Sequence, residues 1–254
     1  MLSERQPPRL RAGRSARAPQ LLPISDAEAA YRLVHRRVDA LLRGRADVAE
    51  LTVPACPDWT VHQTVAHLTG IAQDIATGNL DDVGSQAWTQ AQVERLDGLS
   101  IDELLDLWAQ SIDPLAAQLT LGPKLAAGQL VFDALTHEHD IRGSLGEAGC
   151  RVGDLSYQVA LGFLATMFDL AFRHTGQAAM RLTTPSIGTV QLGDPDAAAD
   201  LLAIGLSDFD ALRAFGGRRS VRQLSALPWH GDPPNPPPAA RNHAIRPPNN
   251  DLIE

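Results

Sequence analysis

The stretch VPACPDWTVHQTVAHLTG, residues 53–70, holds the decisive change of texture in this chain. Pro54 and Pro57 break any helix across its first half, because proline lacks the backbone N–H and crowds the preceding turn. Thr60 then offers a hydroxyl to the free N–H groups of a helix start. Val61, Val65, Leu68 and Ile75 recur at helical intervals, so the spacing predicts a helix from Thr60 to about Gly78. His67 falls within that apolar period and is expected to face inward. His62, displaced by about 140° around the axis, is expected to be exposed.

Similar patterns extend in both directions. Ser25 and Glu28 have capping-box spacing ahead of Ala30, Leu33, Val34, Val38, Leu41 and Leu42, which predicts a helix to about Arg45. Asp81 to Gly98 is polar and glycine-punctuated, and reads as a long loop or a short helix. Ser100 with Glu103 opens a third helix that tolerates or kinks at Pro114. A fourth runs from about Lys124 to Gly146, and dense apolar residues from Leu155 predict a largely buried fifth ending near Gly176. Two short strands, Met180–Leu182 and Thr189–Leu192, flank a turn, followed by helical segments near 195–206 and 208–226. The expected architecture is mainly α: a four-helix bundle (25–177) followed by a small α/β C-terminal domain (178–230). Arg-rich residues 1–24 and Pro-rich residues 231–254 are expected to be a disordered extension and a disordered tail.

The formal charge of −8 over 254 residues, with Lys124 the only lysine, argues against a general nucleic-acid surface. No run of about twenty apolar residues stands out, so no membrane insertion is expected. The two cysteines, Cys56 and Cys150, are too few for a disulfide framework and lack CxxC spacing. A reducing, cytoplasmic setting fits them, and Cys56 between two prolines reads first as a packing residue.

The densest chemistry lies in THEHDIRG, residues 136–143. At about 100° per residue, His137 and His139 point to nearly opposite sides of a helix and cannot share an ion. Asp133 and His137, four apart, lie on one face and can. A working metal site needs a third protein ligand. Of His35, His62, His67, His139, His174, His230 and His243, His67 is the best placed, His35 the weaker alternative. Two imidazoles and one carboxylate suit zinc and also accommodate Fe²⁺, Ni²⁺ or Mn²⁺. Asp140, three residues beyond His137, could hold its ring N–H. By spacing alone, a buried histidine hydrogen-bonded to a carboxylate explains the same pattern.

The segment CPDWTV (56–61) leading to His67, together with Asp133, His137, Asp140, Ile141, Leu145 and Gly146, resembles the mycothiol-dependent maleylpyruvate isomerase family of DinB-like four-helix bundles. Residues 205–233, with Gly217-Arg218-Arg219 and the closing Trp229, Gly231, Asp232 and Pro233, are similar to that family's C-terminal domain. The resemblance implies a divalent metal on His67, Asp133 and His137, for which the ligand set makes zinc the first candidate. It implies too a mycothiol-like thiol as cosubstrate and a small-molecule electrophile as partner, with isomerisation or S-transfer as the reaction. Asp133 departs from the family's usual glutamate and reaches roughly 1.3–1.5 Å less far. Arg218 and Arg219 could offer guanidinium forks to a substrate carboxylate, or could pair structurally. The acidic substrate and the thiol's polar body are expected between bundle and C-terminal domain. The alternative function is a non-enzymatic metal-binding regulator or stress-associated protein on the same scaffold.

Overall fold

The computed structural model describes residues 16–197, 202–241 and 245–254. In chain order the elements begin with α1 (Ile24–Leu42), a hairpin of β1 (Thr52–Val53) and β2 (Cys56–Thr60), and α2 (Val61–Thr77). Helices α3 (Gln86–Leu96), α4 (Ile101–Leu119), α5 (Lys124–Leu145) and α6 (Leu155–Thr175) follow. The remainder holds β3 (Met180–Thr184), β4 (Gly188–Leu192), β5 (Leu202–Gly205), α7 (Asp208–Phe215), α8 (Val221–Ser225) and β6 (Trp229–His230). The protein is mainly α, a DinB-like four-helix bundle with a small α/β part.

Helices α1, α2, α4 and α5 form the bundle, with α3 laid on α2 and α6 on the outer side of α1 and α5. Each presents an apolar stripe inward. Tyr31, Val34 and Val38 of α1 meet Leu104, Leu105 and Trp108 of α4, all nearly or fully buried. The Trp108 indole N–H donates to Tyr31 Oη at 2.8 Å, so the largest core side chain buries no unpaired polar atom.

Local signals set several boundaries. A capping box of Thr60 and Gln63 opens α2, and Gly78, at φ 75°, closes it in the left-handed region that costs a glycine nothing. Ser100 and Glu103 form the same box for α4, which passes through Pro114 as one helix. The box expected at Ser25 does not form: α1 starts a residue earlier, behind Pro23, with no side-chain cap. Proline's fixed φ already suits a helix entrance, so the turn closes without it.

The sheet order is β4-β3-β5-β6, with β3 antiparallel to β4, parallel to β5, and β5 antiparallel to β6. Here the expectation of a helix over 195–206 is corrected. Residues 202–205 form β5, and 198–201 lie outside the described residues. The helix expected over 208–226 is two short ones, parted at Gly216 and Gly217.

Parts of both segments expected to be disordered make contacts with the fold, while residues 1–15 and 242–244 lie outside the described residues. Arg17 bridges to Val190 beside β4, and its guanidinium donates to Ile187 O at 2.8 Å. At the other end, the described residues beyond Gly231 return over α7 and α8. Ile245 packs against the core, Gln223 donates to Leu252 O at 2.8 Å, and Glu254 pairs with the guanidinium groups of Arg213 and Arg219. Proline-rich chain loses less conformational entropy on ordering than other chain does, so a few charged and apolar anchors suffice.

One described helix, α6, has the length and hydropathy to cross a bilayer, which the sequence reading discounted. Its Tyr157, Leu161, Leu164, Phe168 and Phe172 are buried in the core, so that hydropathy serves packing.

Candidate metal centre

His67 on α2, and Asp133 and His137 on α5, converge inside the bundle. Asp133 Oδ2 lies 3.7 Å from His67 Nε2, and Oδ1 lies 3.7 Å from His137 Nε2. One donor atom from each of the three falls within 4.8 Å of the others. A tetrahedral ion with bonds of about 2.0–2.1 Å sets its ligands roughly 3.4 Å apart, so small side-chain rotations close this set on one ion. Asp133 Oδ2 is buried and makes no hydrogen bond among the described residues. A buried carboxylate oxygen without a partner is costly unless a cation completes it, and the residues present fit such an ion.

Both imidazoles are held from behind. Gln92 on α3 donates its amide N–H to Asp74 Oδ2 at 2.8 Å, which turns its oxygen toward His67 Nδ1 at 3.0 Å. The amide oxygen only accepts, so His67 carries its proton on Nδ1 and presents a lone pair at Nε2. Asp74 is braced in turn by Arg95 and Asn79, each at 3.0 Å. On the other side, His137 Nδ1 lies 3.0 Å from Asp140 Oδ2, an ion-pair contact outside hydrogen-bond geometry. Asp140 is fully buried against Arg213 and Arg218, both at 2.8 Å. The Trp59 ring on β2 stands 5.0 Å from the His67 ring and 6.0 Å from the His137 ring, walling off both.

Electrostatics divide the three. Burial drives His67 down to about 4, only partly opposed by Asp133. Burial also acts to lower His137, but Asp133 and then Asp140 outweigh it and raise this ring to about 10. For Asp140, burial pulls upward, yet Arg218 and Arg213 hold its carboxyl well below the usual range. In the ion-free protein His137 therefore carries the proton that a metal would displace.

A second cluster, Cys56, His137 and Asp140, also brings donor atoms within 4.8 Å. Its charge balance is different. Arg213 and Arg218 already neutralise Asp140, and Arg218 Nη2 reaches Cys56 Sγ at 3.6 Å, so a further cation there meets two guanidinium groups. The Nε2 side of His137 is the face open to a metal.

The other residues of THEHDIRG fan out as the helical turn dictates. Glu138, fully buried, accepts from Arg37 at 2.6 Å and Arg142 at 3.0 Å, tying α5 to α1. His139 Nε2 lies 2.7 Å from Tyr157 Oη, on the α6 side. His35 is buried against Trp108, and His62, half-buried rather than exposed, contacts Leu99 O at 2.7 Å. His174 and His230 are exposed, and His243 lies outside the described residues. Arg218 gives both Nε and Nη2 to Asp140, whereas Arg219 engages Glu254 at 2.7 Å and Arg218 O at 2.9 Å through Nη1 alone.

Gln92, Asp74 and Arg213 were not singled out from sequence. Gln92 sits in the segment read as loop or short helix, and no linear spacing links it to His67. A cleft of about 620 Å³ reaches His67 and Asp133 between α2, α3 and the α4–α5 turn. It lies within the bundle.

Residues 31–142 match the family model described as the mycothiol maleylpyruvate isomerase N-terminal domain. The span contains His67, Asp133 and His137. No curated protein matches the sequence. Among solved structures, a histidine-to-alanine mutant of the mycothiol-dependent maleylpyruvate isomerase is similar over 85% of this chain and 97% of its own, with a TM-score of 0.55 and 14% identity. The mycothiol-dependent maleylpyruvate isomerase itself covers the same shares with a TM-score of 0.49 and 13% identity. At 14% identity the first likeness speaks for the fold alone, and that fold extends past the bundle into the C-terminal part. Through residues 31–142, this chain is similar to the N-terminal domain of mycothiol maleylpyruvate isomerases.

Proposed function

We propose that this protein is a metal-dependent enzyme that uses a low-molecular-weight thiol of the mycothiol type to isomerise a small electrophile or to transfer sulfur to it. The observation that carries the reading is the buried, unpartnered Oδ2 of Asp133 standing 3.7 Å from the bare Nε2 of His67. His67, Asp133 and His137 would hold a divalent ion, zinc being the first candidate. A thiol with a pKa near 8.5 is mostly protonated at neutral pH, and the ion's contribution is to stabilise its thiolate, the nucleophile for addition to an electrophile.

The chain's own residues do the rest by placement. Gln92 and Asp140 fix the two rings with their Nε2 atoms toward Asp133. Trp59 covers the imidazoles and keeps bulk water from them. Arg218 acts through Asp140 as a positioning residue. The cleft beside His67 and Asp133 gives a small molecule access from outside. No protein nucleophile is needed, since the thiol brings its own.

Elemental analysis of the purified full chain and of His137→Ala, followed by assay with mycothiol and a panel of small electrophiles after zinc reconstitution, tests this. The expected result is about one ion per chain, lost in the variant, and thiol-dependent turnover only in the loaded protein. Equal metal content in both proteins overturns the site. Metal binding with no turnover of any electrophile by any thiol makes the protein a metal-binding regulator instead.

A further inference from the structure

The cleft that reaches His67 and Asp133 has a one-sided chemistry. Its walls are Ile71, Ile75, Trp88, Leu119, Ala126 and Leu130, and its polar lining is limited to the neutral Thr89, Gln118 and Gln129. Asp133 and His67 are the titratable groups of the lining, and among the described residues no arginine or lysine joins them. Its rim gathers three of the chain's exposed large apolar side chains: Leu80 at 49%, Val83 at 58% and Leu121 at 82%. Apolar side chains held in water around the mouth of an apolar cleft mark a binding surface more often than chance exposure.

The nearby cations are committed elsewhere. Arg95 pairs with Asp74, Arg213 and Arg218 with Asp140, and Arg219 with Glu254. Lys124, next in sequence to the lining residue Pro123, is exposed and does not line the cleft. A carboxylate placed along these walls would lose its hydration with no cation among the described lining residues to replace it, and would face the Asp133 carboxylate.

We propose that this cleft takes an uncharged, apolar alkyl or aryl group of the electrophile, so that the substrate is monopolar: one reactive polar end at His67 and Asp133, and a hydrophobic remainder toward Leu121. This rests on the metal-centre reading given above and narrows it. A dicarboxylate is then the wrong substrate class for this chain, whatever its relatives use.

Two probes with the same chelating head and chains of equal length separate the possibilities: octanohydroxamate, which ends in methyl, and the monohydroxamate of suberic acid, which ends in carboxylate. Calorimetry on the zinc-loaded full chain should show octanohydroxamate binding at least about tenfold more tightly, since the methylenes are common to both probes and a terminal methyl leaves water in one case where a carboxylate must be desolvated in the other. Leu121→Arg, at an exposed position where folding is not at stake, should narrow or reverse that preference by supplying the missing cation. Equal affinities, or tighter binding of the carboxylate probe by the unaltered chain, overturn the proposal while leaving the metal centre intact. If zinc does not bind at all, the metal-centre reading fails, and the cleft is judged by the neutral fluorophore N-phenyl-1-naphthylamine. Saturable binding weakened in Leu121→Arg still supports an apolar subsite, and absence of binding overturns it.

Discussion

Gln92 decides the state of His67 without touching the metal position. Its amide is oriented by Asp74, and its oxygen fixes the proton on Nδ1 of the ring. Gln92→Leu keeps the volume but removes the acceptor, leaving a buried Nδ1 unsatisfied and the ring free to turn. Zinc affinity measured by competition with a chelator should fall by about 10- to 100-fold, the usual effect of losing a partner behind a ligating histidine. A second residue-scale consequence concerns His35, far from the metal ligands. Burial against Trp108 lowers its pKa below the ordinary 6.5. A histidine depressed in the folded state costs nothing above that value, where both states are neutral. As pH falls below about 6.5 the unfolded chain takes up the proton first, so stability drops until the folded-state pKa is reached. Urea denaturation between pH 7.5 and 5 should show this decline, and His35→Gln should flatten part of it. A slope unchanged in the variant would remove His35 as a cause.

At the scale of elements, the site depends on how closely α3 lies on α2. Gly70, one turn after His67, makes the approach possible: a Cβ built there would stand 2.5 Å from Gln92 Cβ. Nothing at the end of a flexible side chain can yield, because the obstructing atom is itself a Cβ. Gly70→Ala should therefore push α3 away, cost about 1–3 kcal/mol in thermal or chemical denaturation, and weaken zinc binding in step with Gln92→Leu. Unchanged zinc affinity in Gly70→Ala would mean that the α2–α3 contact does not govern His67. The same view explains why α3 was only half legible beforehand. Its segment has little apolar periodicity of its own, burying only Gln92, Val93 and Leu96, so its helicity depends on docking more than on pattern. By contrast α2 and α4 carried complete capping boxes, which are purely local devices.

At the scale of the molecule, the C-terminal segment closes a buried charge network. Arg213 has no exposed surface and rests on Asp140, Thr136 O and Glu254, and Arg219 shares Glu254. Through Asp140 the network reaches His137. Glu254→Gln removes one carboxylate from two guanidinium groups and leaves Asp140 as the one carboxylate paired with Arg213 among the described residues. The expected loss is about 3 kcal/mol of stability by thermal denaturation, since breaking a buried pair strands the remaining charge. Unaltered stability would show that the folded-back segment is dispensable to the fold.

The approximate positions of α1, α2, α4, α5 and α6, the inward aim of His67 and the shared face of Asp133 and His137 were legible in the sequence, because each follows from a rotation of about 100° per residue and from signals that act within one turn. Bringing α2 against α5 at a common point, choosing Gln92 and Asp74 as supports, committing Arg218 and Arg219 to Asp140 and Glu254, and folding the proline-rich end back were decided by tertiary packing. Those contacts join residues far apart in the chain, and no local periodicity encodes which distant side chain will neutralise a buried charge.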